Sequence, residues 1–171
     1  MSDPNDPPDS DIPIGVTTVT GTVWMPGHGP HQTNGDTIPV LGALVYVTDE
    51  VPLPLPDQVY CDACIPVPST AGLTDASGRF RISGVRSGRR FLVVEKGRFR
   101  RVTPMDFRPG DEFEMPPVTT TLPSRNDPAA YQWIPRIAIA TGAHDSLEDI
   151  LGKMGLGEVS VSGSYLTNSA Q

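Results

Sequence analysis

Nineteen prolines and seventeen glycines take up more than a fifth of the 171 residues, and they restrict this chain more than any other feature of it. Proline fixes φ and has no amide to donate, and glycine loses the most backbone entropy on ordering, so a chain punctuated this densely is not built from long helices. Short strands joined by many turns are what remain. The prolines also mark places. Met1 to Pro13, MSDPNDPPDSDIP, holds four prolines, four aspartates and, beyond Met1, one buriable side chain, Ile12. Burial there cannot offset the entropy of ordering, which predicts a disordered acidic tether over residues 1–14. Pro52, Pro54, Pro56, Pro66 and Pro68 make Val51 to Pro68 a stiffened loop, unfit for a helix or a central strand.

Between these breaks the period is two. VTTVTGTVW (Val16 to Trp24) is rich in β-branched residues and reads as a first strand, followed by a Gly-rich loop from Gly27 to Gly35. In IPVLGALVYVTD, Ala43, Val45 and Val47 share one face and Leu44, Tyr46 and Thr48 the other. Both faces are apolar enough to predict a central strand. LTDASGRFRIS predicts a turn over Asp75 to Gly78 and then a strand with Phe80 and Ile82 inward and Arg79 and Arg81 outward. VRSGRRFLVVEKGRFRRVTPM predicts two successive hairpins: a Ser-Gly turn, a strand from Arg89 to Glu95, a Lys-Gly turn and a strand from Arg98 to Met105. A further strand is expected within Glu112 to Leu122. About seven short strands with frequent turn signals predict a mainly-β sandwich over residues 15–123.

Residues 124–171 read as a linker, a strand-turn-helix fragment and a polar tail. Ile137 to Ala140 is a continuous apolar run expected to be a strand. Leu147, Ile150, Leu151 and Met154 then recur at helical spacing, with Ser146 as N-cap, Asp149 three residues on, and Gly155 as the stop. One strand cannot make a parallel sheet. The unit is expected to be a fragment of a larger domain or an accessory docked on the sandwich, with Ile137–Ala140 also open to self-association between chains.

The net charge of −7 argues against general nucleic-acid binding, which requires a basic surface. The charge is uneven: between Ala76 and Arg101, eight arginines and Lys96 face only Glu95. That stripe reads as the solvated side of two hairpins, with a rival reading as a polyanion contact through Arg79, Arg81, Arg98 and Arg100. No apolar run reaches the roughly 18 residues that cross a bilayer, so no transmembrane segment is expected, and the N-terminus has no signal-peptide pattern.

The two cysteines, Cys61 and Cys64, form one CxxC. A thioredoxin-type role needs a helix N-terminus after the motif, which Ile65-Pro66-Val67-Pro68 forbids. Two readings stay open. A zinc ion could take His28, His31, Cys61 and Cys64 as a two-His, two-Cys tetrahedron. A local disulfide between Cys61 and Cys64 would instead staple the loop, worth about 2 kcal/mol for so short a ring, and is the favoured reading if the protein is exported. Asp145, Glu148 and Asp149 beside His144 suit the positive end of a helix dipole. With no Ser/His/Asp ordering, phosphate loop or H-E-x-x-H motif, no catalytic residue and no cofactor is expected.

Four stretches taken together carry a resemblance: Val19-Thr20-Gly21-Thr22-Val23, Gly42 to Val47, Thr74 to Phe80, and Phe91 to Gly97. The chain resembles the carboxypeptidase regulatory-like domains, a branch of the transthyretin-like and carbohydrate-binding-like sandwiches. The resemblance implies a seven-strand Ig/transthyretin-like Greek-key sandwich. It also implies a rigid, non-catalytic module on an exported or surface-attached protein, in some cases contacting glycan. The C-terminal IAIATGAHDSLEDILGKMGLGE looks like the segment that follows such a sandwich in large secreted bacterial proteins, where an α/β domain continues.

Three functions are therefore expected, in this order. The first is an extracellular spacer or adhesion module whose partners are other domains of a larger chain or other surface proteins. The second is an anionic-glycan binder using the Arg-rich face. The third is the N-terminal part of an enzyme whose α/β catalytic domain lies past Gln171.

Overall fold

The structure, a computed structural model, describes residues 15–31, 37–55, 67–110, 112–139, 147–156, 158–159 and 165–167. In chain order its strands are β1 (Val16–Thr22), β2 (Leu44–Thr48), β3 (Gly72–Leu73), β4 (Arg79–Arg86), β5 (Gly88–Lys96), β6 (Phe99–Phe107) and β7 (Glu112–Glu114). A single helical turn α1 (Pro117–Thr120), β8 (Gln132–Trp133), α2 (Leu147–Leu151), β9 (Glu158–Val159) and β10 (Tyr165–Thr167) follow. The protein is mainly β, as its turn density requires. One sheet has the order β4-β1-β7, a second the order β3-β2-β5-β6-β8, and β9 and β10 form a separate antiparallel pair.

The two larger sheets pack on a shared core. Val19, Phe80, Ile82 and Val85 come from the three-stranded sheet, and Val45, Leu92, Val94 and Phe107 from the five-stranded one. Phe107 meets Phe113 edge-on, ring centroids 5.7 Å apart, which ties β6 to β7 across the layers. Phe80 and Ile82 point inward and Arg79 and Arg81 outward, as the alternation predicts. β2 lies between β3 and β5, so the strand with two apolar faces is indeed internal.

Only one of the two expected hairpins forms. Lys96 pairs with Phe99 around a two-residue turn, Gly97-Arg98, and Gly97 has the positive φ (57°) that the first central position of such a turn demands. The Ser-Gly pair does something else. β4 belongs to one sheet and β5 to the other, so Ser87-Gly88 carries the chain across the sandwich, with Ser87 N–H donating to the Gly15 carbonyl. A Ser-Gly bend supplies the reversal; which strand it serves is decided by the distant partners of β4 and β5. The strand expected within Glu112 to Leu122 is β7, which ends at Glu114 because Pro116 and Pro117 remove two ladder donors. Pro117 then opens α1.

The segment expected to be a linker contributes a strand. β8 pairs antiparallel with β6 (Arg100 opposite Trp133, Arg101 opposite Gln132), so eight strands build the two sheets among the described residues. The strand expected at Ile137–Ala140 is corrected: residues 134–139 have no regular structure, Ile137 is exposed, and Ala140 lies outside the described residues. Pro135 just before it has no ladder donor, and no strand among the described residues pairs with residues 137–139. The route to self-association through that strand therefore loses its basis. The helix does form, as α2, and the chain turns at Gly155 with φ 77°. Gly155 lies against Gly27 so closely that a Cβ on either would fall 2.7–2.8 Å from the other's Cα. Two glycines thus dock this segment on the loop after β1.

Candidate functional site

The outer face of the five-stranded sheet holds a buried polar network among the described residues. Strand alternation places Tyr46, Val93, Val102 and Trp133 there, all buried, with Leu44, Leu55, Ala71 and Phe91 packed around them. Into this second apolar cluster the sheet inserts a charge. The Arg100 side chain is 4% exposed and its Nε donates to Glu95 Oε1 at 2.5 Å. Tyr46 Oη donates to the same carboxylate oxygen at 2.8 Å. Arg100 Nη1 reaches further and donates to the Leu53 carbonyl at 2.9 Å.

Turn geometry explains why these residues meet. The two-residue turn at Gly97-Arg98 sets Glu95 opposite Arg100, and β2 places Leu44 opposite Glu95, so Tyr46 lies diagonally across from the carboxylate. Burial, and then the hydrogen bond to Glu95, hold the Tyr46 phenol protonated far above its ordinary pKa. The arrangement has one chemical effect: it fixes residues 51–55 over the sheet. A loop lying on a sheet face brings backbone carbonyls with no ladder partner, and Arg100 supplies a donor for one of them.

The other side of the sheet has a similar bond. Arg101 Nε donates to the Thr121 carbonyl at 2.6 Å, and burial lowers the Arg101 pKa. Thr74, also buried, accepts from Ala43 N–H at 2.8 Å and donates to the Val40 carbonyl at 2.6 Å. Beside it Asp75 Oδ1 accepts from Ser77 Oγ, Ser77 N–H and Arg79 N–H, and these bonds hold its carboxyl below the usual range. Thr74 thus ties this segment to residues 40–43, while Asp75 clamps its own turn. Gly78 completes it: at φ 73° a side chain there would strike Pro39 and the Val23 carbonyl.

The expected Arg face does not assemble. Arg79 and Arg81 lie on β4 in one sheet, and Arg98 and Arg100 belong to the β5–β6 hairpin in the other. Arg100 is corrected from solvated to buried, because Val102, Trp133 and the 51–55 loop cover its strand face. Arg81 is already paired with Glu112, and Arg86 and Arg90 both meet Asp49. Sequence reasoning missed Glu95 as the partner of Arg100 and Tyr46 as the second donor to that carboxylate. The signal was the Lys-Gly turn, whose length implies the Glu95–Arg100 pair.

His28 and His31 occupy the loop after β1. His28 accepts from Ile38 N–H and donates its own N–H to Met25 through the backbone, and the His31 ring lies against Gly29. Cys61 and Cys64 lie outside the described residues, and with them both the zinc and the disulfide reading. Among the described residues no group of His, Cys, Asp and Glu gathers as a metal site. An open groove of about 320 Å³ runs past Thr22, Trp24, Glu114, Met115, Pro116 and Pro117, with Glu114 its one charged group. No helix among the described residues is long and apolar enough to cross a membrane. No family model matches the chain, and no curated protein matches it significantly.

Proposed function

We propose that the chain is a non-catalytic extracellular β-sandwich module, acting as a structural spacer or adhesion domain of a larger surface protein. The observation that carries this reading is where the interior polar groups aim. Arg100, Arg101, Thr74 and Thr120 each spend hydrogen bonds on the chain's own backbone, at Leu53, Thr121, Val40 and Thr22. A catalytic or ligand site aims such groups into a cleft. Here they lock loops to sheets, which is what a rigid module needs. The resemblance to carboxypeptidase regulatory-like domains points the same way. The division of the arginines between two sheets weighs against the glycan reading.

A replacement experiment tests it. In the encoding cells, residues 15–134 are deleted in frame, or exchanged for an unrelated β-sandwich of similar length. Surface exposure is read by labelling whole cells with a membrane-impermeant reagent, and function by adhesion to a solid support. The native module is expected to label, and the substitute to restore the adhesion that deletion abolishes. Lack of labelling, or adhesion unaffected by the deletion, would overturn the reading; a substitute no better than the deletion would assign adhesion to the module's own surface and remove the spacer role.

A further inference from the structure

The first strand of the sandwich and the last strand of its sheet run side by side in the same direction. β1 and β7 are parallel, with Thr18 opposite Glu112, Val19 opposite Phe113 and Thr20 opposite Glu114. The seam continues beyond both ends of this short ladder. Gly110 N–H donates to the Val16 carbonyl at 3.1 Å, Met115 N–H to Thr20 at 2.8 Å, and Leu122 N–H to Trp24 at 2.9 Å. The buried Thr120 hydroxyl donates to the Thr22 carbonyl at 2.7 Å. One edge of the chain from Val16 to Trp24 is thus stitched to Gly110 and residues 112–122, while its other edge pairs antiparallel with β4.

Parallel strands have their entries at one end and their exits at the other. Tension applied before Val16 and after Leu122 therefore drags β1 and β7 in opposite directions along their common axis, and every bond of the seam is loaded at once. An antiparallel pair pulled from its adjacent ends opens one bond at a time. We infer that the β1–β7 seam is a shear clamp that lets the domain carry tension between its two ends. This inference rests on the spacer reading and gives it a specific task, the transmission of load along a surface protein. The parts outside the seam are held less firmly. β8 has two residue pairs to β6, and the segment after α2 docks through the Gly155–Gly27 contact, so both yield before load reaches Leu122.

Single-molecule pulling tests the clamp through direction, which leaves the native state and its solution stability unaltered. One set of molecules carries handles at the two ends of the full chain. A second set carries them at the N-terminus and at a chemically addressable non-natural residue in place of the exposed Arg89, a geometry that opens β1 from β4 beginning at Val16 and Arg86. End-to-end pulling is expected to release the C-terminal segment early. One main event then follows, lengthening the chain by roughly 350 Å for Val16 to Leu122 at about 3.3–3.6 Å per residue. Forced unfolding reports the barrier along the pulled direction, so the main event is expected at about twice the force of the Arg89 geometry or more. Thr120→Val is expected to lower the end-to-end force and leave the Arg89 geometry unchanged. Equal forces in the two geometries, or an equal loss in both from Thr120→Val, would overturn the clamp. A module that restores adhesion yet shows no directional difference would keep the spacer reading and lose the clamp.

Discussion

The inner and outer faces of the five-stranded sheet are both buried, and they are covered by different things. Inside, Val45, Leu92, Val94 and Phe107 meet another sheet, whose backbone groups are paired in its own ladder. Outside, Tyr46, Val93 and Val102 meet the 51–55 loop, Ala71 and the two residues of β8. Loop backbone has no ladder, so a face covered by loops must lend polar side chains to them. Arg100 and the Glu95–Tyr46 pair behind it are that loan. The comparison teaches that a buried arginine in a strand can be a consequence of what lies above the sheet, with no ligand involved.

The inner face should be the less forgiving. Leu92→Ala, at a site with no exposure, is expected to cost about 4 kcal/mol because a tightly packed interlayer cannot collapse around the cavity; urea denaturation measures it. On the outer face Arg100→Met is expected to cost about 3 kcal/mol, since it strands Glu95 among apolar neighbours and releases Leu53. Limited proteolysis should then cut within Val51 to Leu55. Adding Glu95→Leu to Arg100→Met should recover most of that loss, because two apolar groups replace a desolvated pair. If the double variant is as unstable as the single one, the outer face is not organised around that pair.

Tyr46→Phe is a smaller change, expected at about 2 kcal/mol for one lost hydrogen bond to a charged acceptor. It also has a pH signature. The folded phenol titrates above its unfolded value, so its contribution is intact below pH about 10 and declines as pH rises toward the folded value. Stability of the native chain should fall above pH about 10, and Tyr46→Phe should flatten that limb. The smallest effect is expected outside both faces. Gly155→Ala should leave the urea midpoint unchanged while accelerating amide exchange across Leu147–Leu151, because a Cβ there collides with the Gly27 backbone.

Much of the framework was legible from local patterns. The apolar faces of Ala43 to Thr48 announced an internal strand, Phe80 and Ile82 announced the inner side of β4, and Lys96-Gly97 announced a tight turn. The pair at the centre of the candidate site was legible only in part. The turn implies that Glu95 faces Arg100, yet nothing in the hairpin says that Leu55 and Trp133 will cover them. Ile137 to Ala140 shows the opposite error, an apolar run read as a strand although no sheet edge among the described residues receives residues 137–139.

By itself the sequence determined the class of structure, because dense proline and glycine exclude long helices and a period of two sorts side chains onto faces. It also determined the tight β5–β6 hairpin, since a glycine in a two-residue turn leaves little choice of register. Tertiary structure alone decided that Ser87-Gly88 crosses between sheets, that Arg100 lies under a loop, that Gln132–Trp133 completes a sheet, and that β1 and β7 run parallel. Those four depend on contacts between residues far apart along the chain. Local chemistry tells a strand which of its faces is apolar; only the packed whole determines what will lie against it.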